Sequence, residues 1–151
     1  FSRMHAARNF QSALMMLRQL EFALFDFRLH LEYDPARSAR ILDLVREVRE
    51  EISVFQPPAF NRFAHSFAHV FAGGYAAGYY SYKWAEVLSA DAYSAFEEAG
   101  IFDAATGQRF LNTILEQGGS REAMELFVAF RGRPPEIEPL LRHNGLLDEA
   151  A

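Results

Sequence analysis

Apolar side chains recur along the first part of the chain at steps of three and four. Leu14, Leu17, Leu20, Leu24, Phe27 and Leu31 follow one another in this way. The spacing predicts one long amphipathic helix over about 4–33, uninterrupted by Gly or Pro. Asp34-Pro35 ends it, with Asp34 placed to cap a second helix and Pro35 to start it. That helix, over about 35–53, carries Ile41, Leu44, Val45, Val48 and Ile52 on one face and charges on the other. The two form a long antiparallel helical hairpin.

After the hairpin the pattern lapses. VFQPPAFNRFAHS is a connector, broken by Pro57-Pro58. A Gly/Tyr-rich segment leads into a helical region over about 75–98, with Gly100 just past its end. Asp103 can cap a short helix over about 104–116, which Gly118-Gly119 stops. Ser120 can cap another over about 121–130, with Glu122 in its first turn, where the helix dipole favours it. Arg131-Gly132-Arg133-Pro134-Pro135 is a turn, and a last helix over about 135–143 stops at Asn144-Gly145. No strand alternation or internal repeat emerges. The expectation is an all-α chain of about six helices, treated as one piece over 1–151.

Composition adds limits. Half of the 151 residues are hydrophobic and 15 are Phe, so the chain can either build a bulky core or present apolar surface to a partner. Net charge is −5, from 15 basic and 20 acidic residues, which argues against a nucleic-acid partner. No cysteine is present, so disulfides, thiolate zinc sites and cysteine nucleophiles are excluded, in keeping with a reducing, cytoplasmic setting. No apolar run approaches the roughly 20 residues of a membrane helix. The chain does not begin with Met and opens within a helical pattern, as a piece of a longer protein would.

Chemistry concentrates in few places. His65 and His69, in HSFAH, have the spacing of the zinc-binding histidines of HExxH, but Ser66 stands where that motif has its Glu, and a third ligand is missing. Structural, hydrogen-bonded histidines are the favoured reading. Asp26 and His30, four apart near Glu21, fit an ion pair or hydrogen bond rather than a di-iron site, which needs Glu-x-x-His motifs. His5 and His143 fall near the chain ends as surface residues.

The segment HVFAGGYAAGYYSY is unusual: it joins a histidine, three glycines and four tyrosines. On a helix starting at Tyr75, Tyr79 lies at about 40°, Tyr82 at about −20° and Glu86 at about 20°, one stripe. Tyr80 and Trp84 fall opposite and are assigned to packing. Such a stripe is commonly core or interface. Here it follows Gly73-Gly74 and His69, so its phenols can instead present O–H donors to a ligand, as an oxyanion site requires. The glycines form neither GxGxxG nor a P-loop.

The string FAHVFAGGYAAGYYSYKWAEVLSADAYSAFEEAGIF resembles the C-terminal part of the catalytic domain of the thimet oligopeptidase family of zinc metallopeptidases. ARNFQSALMMLRQLEFALFDFRLH upstream and TGQRFLNTILEQGGSREAMELFVAFRGRPPEIEPLLRHNGL downstream extend the resemblance over nearly the whole chain. It implies a zincin-like, helical subdomain of an enzyme that cleaves short peptides in a deep channel. Zinc there is held by HExxH and a more distant Glu, both absent from this chain, so the resemblance implies a C-terminal piece that binds no catalytic zinc and is inactive alone. Carried over by position, Tyr75 and Tyr82 are catalytic, as donors to the oxyanion. His69 and Tyr79 bind substrate, with Gly73 and Gly74 as hinge residues. Branches of the family differ by one residue between this histidine and the glycines; His69 is carried over from the branch whose spacing this chain has. The implied partners are short peptides and the remainder of the same catalytic domain, and exposed apolar surface would favour self-association. The alternative is a non-catalytic helical module that binds a protein partner.

Overall fold

The computed structural model describes residues 2–36 and 40–147, apart from the side chain of His5. The described residues form helices joined by turns and irregular segments, with no strand among them. The chain forms two compact units, Phe1–Lys83 and Trp84–Ala151.

In the first unit, the predicted opening helix is two helices. Helix α1 (Ser2–Asn9) is separated from α2 (Ser12–Glu32) by Gln11, whose φ of 56° is left-handed. No Gly or Pro marks this break. It falls where polar SRMHAARN gives way to the apolar SALMMLRQLEFALF, and Asn9 and Ser12 are residues whose side chains compete with helical hydrogen bonds. Helix α3 (Ile41–Ile52) starts later than expected. Asp34 does not cap it: its Oδ1 accepts from the Ala36 N–H at 2.9 Å, closing a local turn.

Helices α2 and α3 form the expected antiparallel hairpin. Glu21 pairs with Arg49 and Ser53, while Arg28, two turns further along α2, pairs with Glu47. Leu44, Val45 and Val48 are buried as expected, and Val48 is fully enclosed. The buried face of α2 is not the leucine stripe. Leu14, Leu20, Phe27 and Leu31 are exposed, whereas Phe25 and Leu29 enter the core with Phe22 against it. Two carboxylates, Glu21 and Asp26, are buried on that face, and a polar reading of both hides it from the periodicity. Each is fully hydrogen-bonded, which makes its burial tolerable.

A 3-10 turn (Phe63–Ser66) and α4 (Ala68–Phe71) bring Phe63, Phe67 and Val70 onto this core. Phe22 and Phe63 stack at 4.9 Å, and Phe25 meets Phe63 edge-on at 5.4 Å. Arg49 lies over the Phe63 ring while its Nε holds Glu21 at 2.8 Å.

Helix α5 (Ser81–Ala99) begins at the end of the first unit and supplies the first helix of the second. It starts six residues later than predicted. Tyr80 and Trp84 pack only in part: each is about half exposed, at 50% and 47%, and Tyr80 meets the Phe27 ring edge-on at 6.1 Å. Asp103 caps α6 (Ala104–Phe110) as expected, accepting from the Thr106 N–H at 2.7 Å, and a π-helical turn (Leu111–Leu115) extends it. Ser120 does not cap α7 (Ala123–Arg131); its hydroxyl faces Gln117, and Glu122 holds the cap position. Helix α8 (Glu138–His143) ends at Asn144-Gly145 as expected. His143 is half-buried rather than superficial, 2.9 Å from Glu97 and edge-on to Tyr93.

Leu126, Phe127, Phe130 and Leu140 form the core of the second unit. Fully buried Asp91 organises its polar side. Arg133 grips both carboxylate oxygens at 2.7 Å, Arg131 Nε reaches Oδ1 at 3.1 Å, and the Glu136 N–H donates to Oδ2 at 2.7 Å. Burial pushes the Asp91 carboxyl up, but these hydrogen bonds and arginine charges outweigh it and hold the group below its ordinary value.

Candidate functional site

The segment that joins a histidine to four phenols lies wholly within the first unit. His69 sits on α4, and the chain leaves that helix through Gly73 and Gly74. A Cβ on Gly73 would stand 2.9 Å from the His69 carbonyl oxygen, so only glycine allows this approach. Gly74 has φ +79°, the left-handed region. Together they turn the chain back until the Tyr75 N–H donates to the His69 carbonyl at 3.1 Å.

Tyr75 and Tyr79 do not lie on a helix. Successive turns follow, with Gly78 N–H to Tyr75 O at 2.8 Å and Ser81 N–H to Gly78 O at 3.0 Å, and only Tyr82 belongs to α5. The helical stripe is therefore replaced by a wound loop, yet the grouping survives. The Tyr75 and Tyr82 rings lie 5.0 Å apart, and Tyr79 and Tyr82 meet edge-on at 5.2 Å. His69 stands 6.2, 5.9 and 6.4 Å from the rings of Tyr75, Tyr79 and Tyr82. The Gly residues and turns, not helical periodicity, bring the four rings together.

The four differ in exposure. His69 is exposed, Tyr75 is half-buried and Tyr82 is 40% exposed. Tyr79 is buried beneath them, packed on Phe22 and Phe67, and its hydroxyl donates to Gln19 Oε1 at 2.9 Å. Burial pushes the Tyr79 phenol up, against the opposing charge of Arg18. A substrate contact through this hydroxyl would first have to displace Gln19.

The Tyr82 hydroxyl is pushed up to about 12, first by its hydrogen bond with Tyr75, then by partial desolvation and by the neighbouring phenols Tyr75 and Tyr79. A hydrogen bond that raises a phenol favours its protonated form, so the Tyr75 contact keeps the Tyr82 hydroxyl protonated. At neutral pH Tyr82 is a neutral donor at the open side of the cluster.

Asp26 was legible only as a partner for His30. The pair is present: His30 Nδ1 lies 3.0 Å from Asp26 Oδ1 and 2.8 Å from its carbonyl. The same carboxylate also accepts the Ala77 N–H on Oδ1 and the Tyr79 N–H on Oδ2, each at 2.9 Å. The available signal was an Asp set among Phe22, Phe25 and Leu29 on one helical face. Gln19 carried none.

No three His, Asp or Glu side chains converge as metal ligands among the described residues. His65 lies on the 3-10 turn and His69 on α4, so the HSFAH pair does not share one helix. The described residues do not fit a zinc centre of their own. No helix among the described residues is long and apolar enough to cross a membrane.

Comparison with known proteins gives the wider setting. Residues 1–146 match peptidase family M3. The chain is 58% identical over 144 residues to oligopeptidase A of Salmonella typhimurium, covering 95% of this chain and 21% of that protein. It is 56% identical to oligopeptidase A of Escherichia coli over the same shares of each chain. Identity to the probable cytosolic oligopeptidase A of Arabidopsis thaliana is 53% over 155 residues, covering all of this chain and 22% of that protein. The chain thus spans about a fifth of the length of these curated relatives. Matched across almost its whole length, including the entire His69–Tyr82 segment, the chain belongs to peptidase family M3.

Proposed function

We propose that this chain is the C-terminal, substrate-binding and transition-state-stabilising portion of a zinc-dependent oligopeptidase that hydrolyses short peptides. The observation that carries the reading is the open grouping of His69, Tyr75 and Tyr82 above a firmly held turn, in a chain of a peptidase family. Peptide hydrolysis places negative charge on the former carbonyl oxygen, and a neutral, preorganised hydroxyl stabilises it. Tyr82 supplies that donor by turning its O–H to the substrate. Tyr75 supports it as a second hydroxyl, and His69 binds substrate backbone beside them. Tyr79 acts from beneath, as the buried ring on which the others rest. Gly73 and Gly74 set the approach of Tyr75 to His69.

On this reading the metal and the general base belong to parts of the protein outside this chain, so the isolated chain hydrolyses no peptide. Short peptides and the rest of the catalytic domain are its partners. A cytoplasmic setting agrees with the absence of cysteine and with the name of the cytosolic plant relative.

The test combines two measurements on the full-length protein. Its reading frame should contain HExxH upstream of Phe1, and it should cleave a fluorogenic peptide in a manner abolished by chelation and restored by zinc. A start codon close to Phe1, with no hydrolysis, would instead favour the helical interaction module.

A further inference from the structure

A buried carboxylate far away in sequence holds the tyrosine turn. Asp26 is fully buried in the middle of α2, and the two N–H groups it accepts lie 51 and 53 positions downstream. Between them the backbone winds through Ala77, whose φ of 56° is left-handed. A non-glycine residue there is strained, and such a conformation persists only where its surroundings impose it. The Asp26 carboxylate does so by bridging the N–H of the strained residue and the N–H of Tyr79. His30 Nδ1 faces two acceptors, Asp26 Oδ1 and the Asp26 carbonyl, so it carries a proton and donates.

We propose that Asp26 is a positioning residue of the peptidase site, setting the Tyr75–Tyr82 hydroxyl pair through the backbone of the Ala77–Tyr79 turn; the inference rests on the function proposed above. Every group facing the carboxylate is a donor: the Ala77 and Tyr79 N–H groups and His30 Nδ1. An ionised carboxylate, which only accepts, satisfies all three. Asparagine cannot, because its amide NH2 would face the Tyr79 N–H in one orientation and the Ala77 N–H and His30 in the other. Substitution by Asn therefore keeps the shape and breaks the grip. The turn would relax from its left-handed conformation, and Tyr82, three residues after Tyr79 and bonded to it through Tyr82 N–H to Tyr79 O at 3.3 Å, would lose its setting against Tyr75.

The experiment is a double-mutant cycle on the full-length enzyme, with kcat and KM for a fluorogenic peptide and zinc content measured for the parent, Asp26→Asn, Tyr82→Phe and the double variant. If Asp26 acts through Tyr82, Asp26→Asn lowers kcat at least tenfold in the parent and less than threefold in the Tyr82→Phe background, with zinc content and KM little changed. Equal factors in both backgrounds, or no loss in the parent, overturn the positioning role while leaving the role of Tyr82 intact. A silent Tyr82→Phe overturns the functional reading and this inference with it. Ala77→Gly supplies a second arm, since glycine adopts the left-handed conformation without strain. Added to Asp26→Asn, it should recover part of the lost kcat, and it gives a folded comparison if Asp26→Asn alone accumulates poorly. No recovery of kcat by a folded Ala77→Gly double variant overturns the mechanism through the turn.

Discussion

The Tyr75 and Tyr82 rings lie 5.0 Å apart, tilted by 32°, although neither helical spacing nor a shared element places them together. Their hydroxyls are hydrogen-bonded to each other, and this contact raises the Tyr82 phenol. A neutral phenol can donate as well as accept, whereas a phenolate only accepts, so the raised Tyr82 value extends the donating form to higher pH.

Tyr75→Phe removes the partner hydroxyl and should bring the Tyr82 phenol down from about 12 toward the ordinary value of about 10. It should stop short of it, because burial and the neighbouring Tyr79 still act in the same direction. NMR of Cζ-labelled tyrosine, titrated in alkaline solution, measures this. An unchanged Tyr82 titration would mean that the hydrogen bond does not set its protonation.

Gly73 and Gly74 are required for different reasons, and substitution separates them. At Gly73 any Cβ meets rigid backbone, the His69 carbonyl at 2.9 Å and Cα at 3.1 Å. Gly73→Ala should therefore cost about 1–3 kcal/mol, as overpacking does, and push Tyr75 from His69. At Gly74 the space is open and only the left-handed φ matters. Gly74→Asn should be tolerated better than Gly74→Val, because Asn enters that region more readily than β-branched residues. Denaturant midpoints and kcat/KM for the three variants check the order.

Asp91 predicts a pH effect on the second unit. Its carboxyl is held below its ordinary value in the folded state. The stabilisation is thus fully present above the unfolded value of about 3.9 and is lost as pH falls through the depressed folded value. Arg133→Ala leaves Asp91 buried with Arg131 still nearby but its bidentate partner gone, and should cost about 3–5 kcal/mol at neutral pH. The loss should shrink on acidification, as Asp91 protonates in the variant first. Thermal melts of parent and variant between neutral pH and pH 3 give the comparison.

The helical class, the hairpin and the Asp103 and Asn144-Gly145 helix ends were legible because each has a local cause. Leu44, Val45 and Val48 are spaced for one face, Asp103 accepts from Thr106 three residues on, and Gly145 takes the left-handed position. The burial of α2 was not legible. Its buried face carries Glu21 and Asp26, whose partners Arg49, Ser53, Ala77 and Tyr79 lie far along the chain. Periodicity counts such carboxylates as solvent-facing and so selected the exposed leucines instead.

The grouping of His69, Tyr75, Tyr79 and Tyr82 was legible as a set of residues but not as a geometry. Gly73-Gly74 signalled a turn, and the density of phenols marked a candidate cluster, but a helical wheel begun at Tyr75 assumed a helix that starts only at Ser81. Nothing local announces the left-handed Ala77, which a distant Asp26 imposes. Nor does Tyr79 reveal that its hydroxyl is already engaged by Gln19, sixty positions earlier.

The central claim is that Tyr82 donates a hydrogen bond to charge that develops only in the transition state. Single-turnover hydrolysis of a fluorogenic peptide by full-length Tyr82→Phe enzyme, with zinc measured in the same samples, tests it most directly. Loss of one such donor should slow the chemical step roughly 100- to 1000-fold, with metal content unchanged. An unaltered rate, or a loss that merely tracks missing zinc, would contradict it.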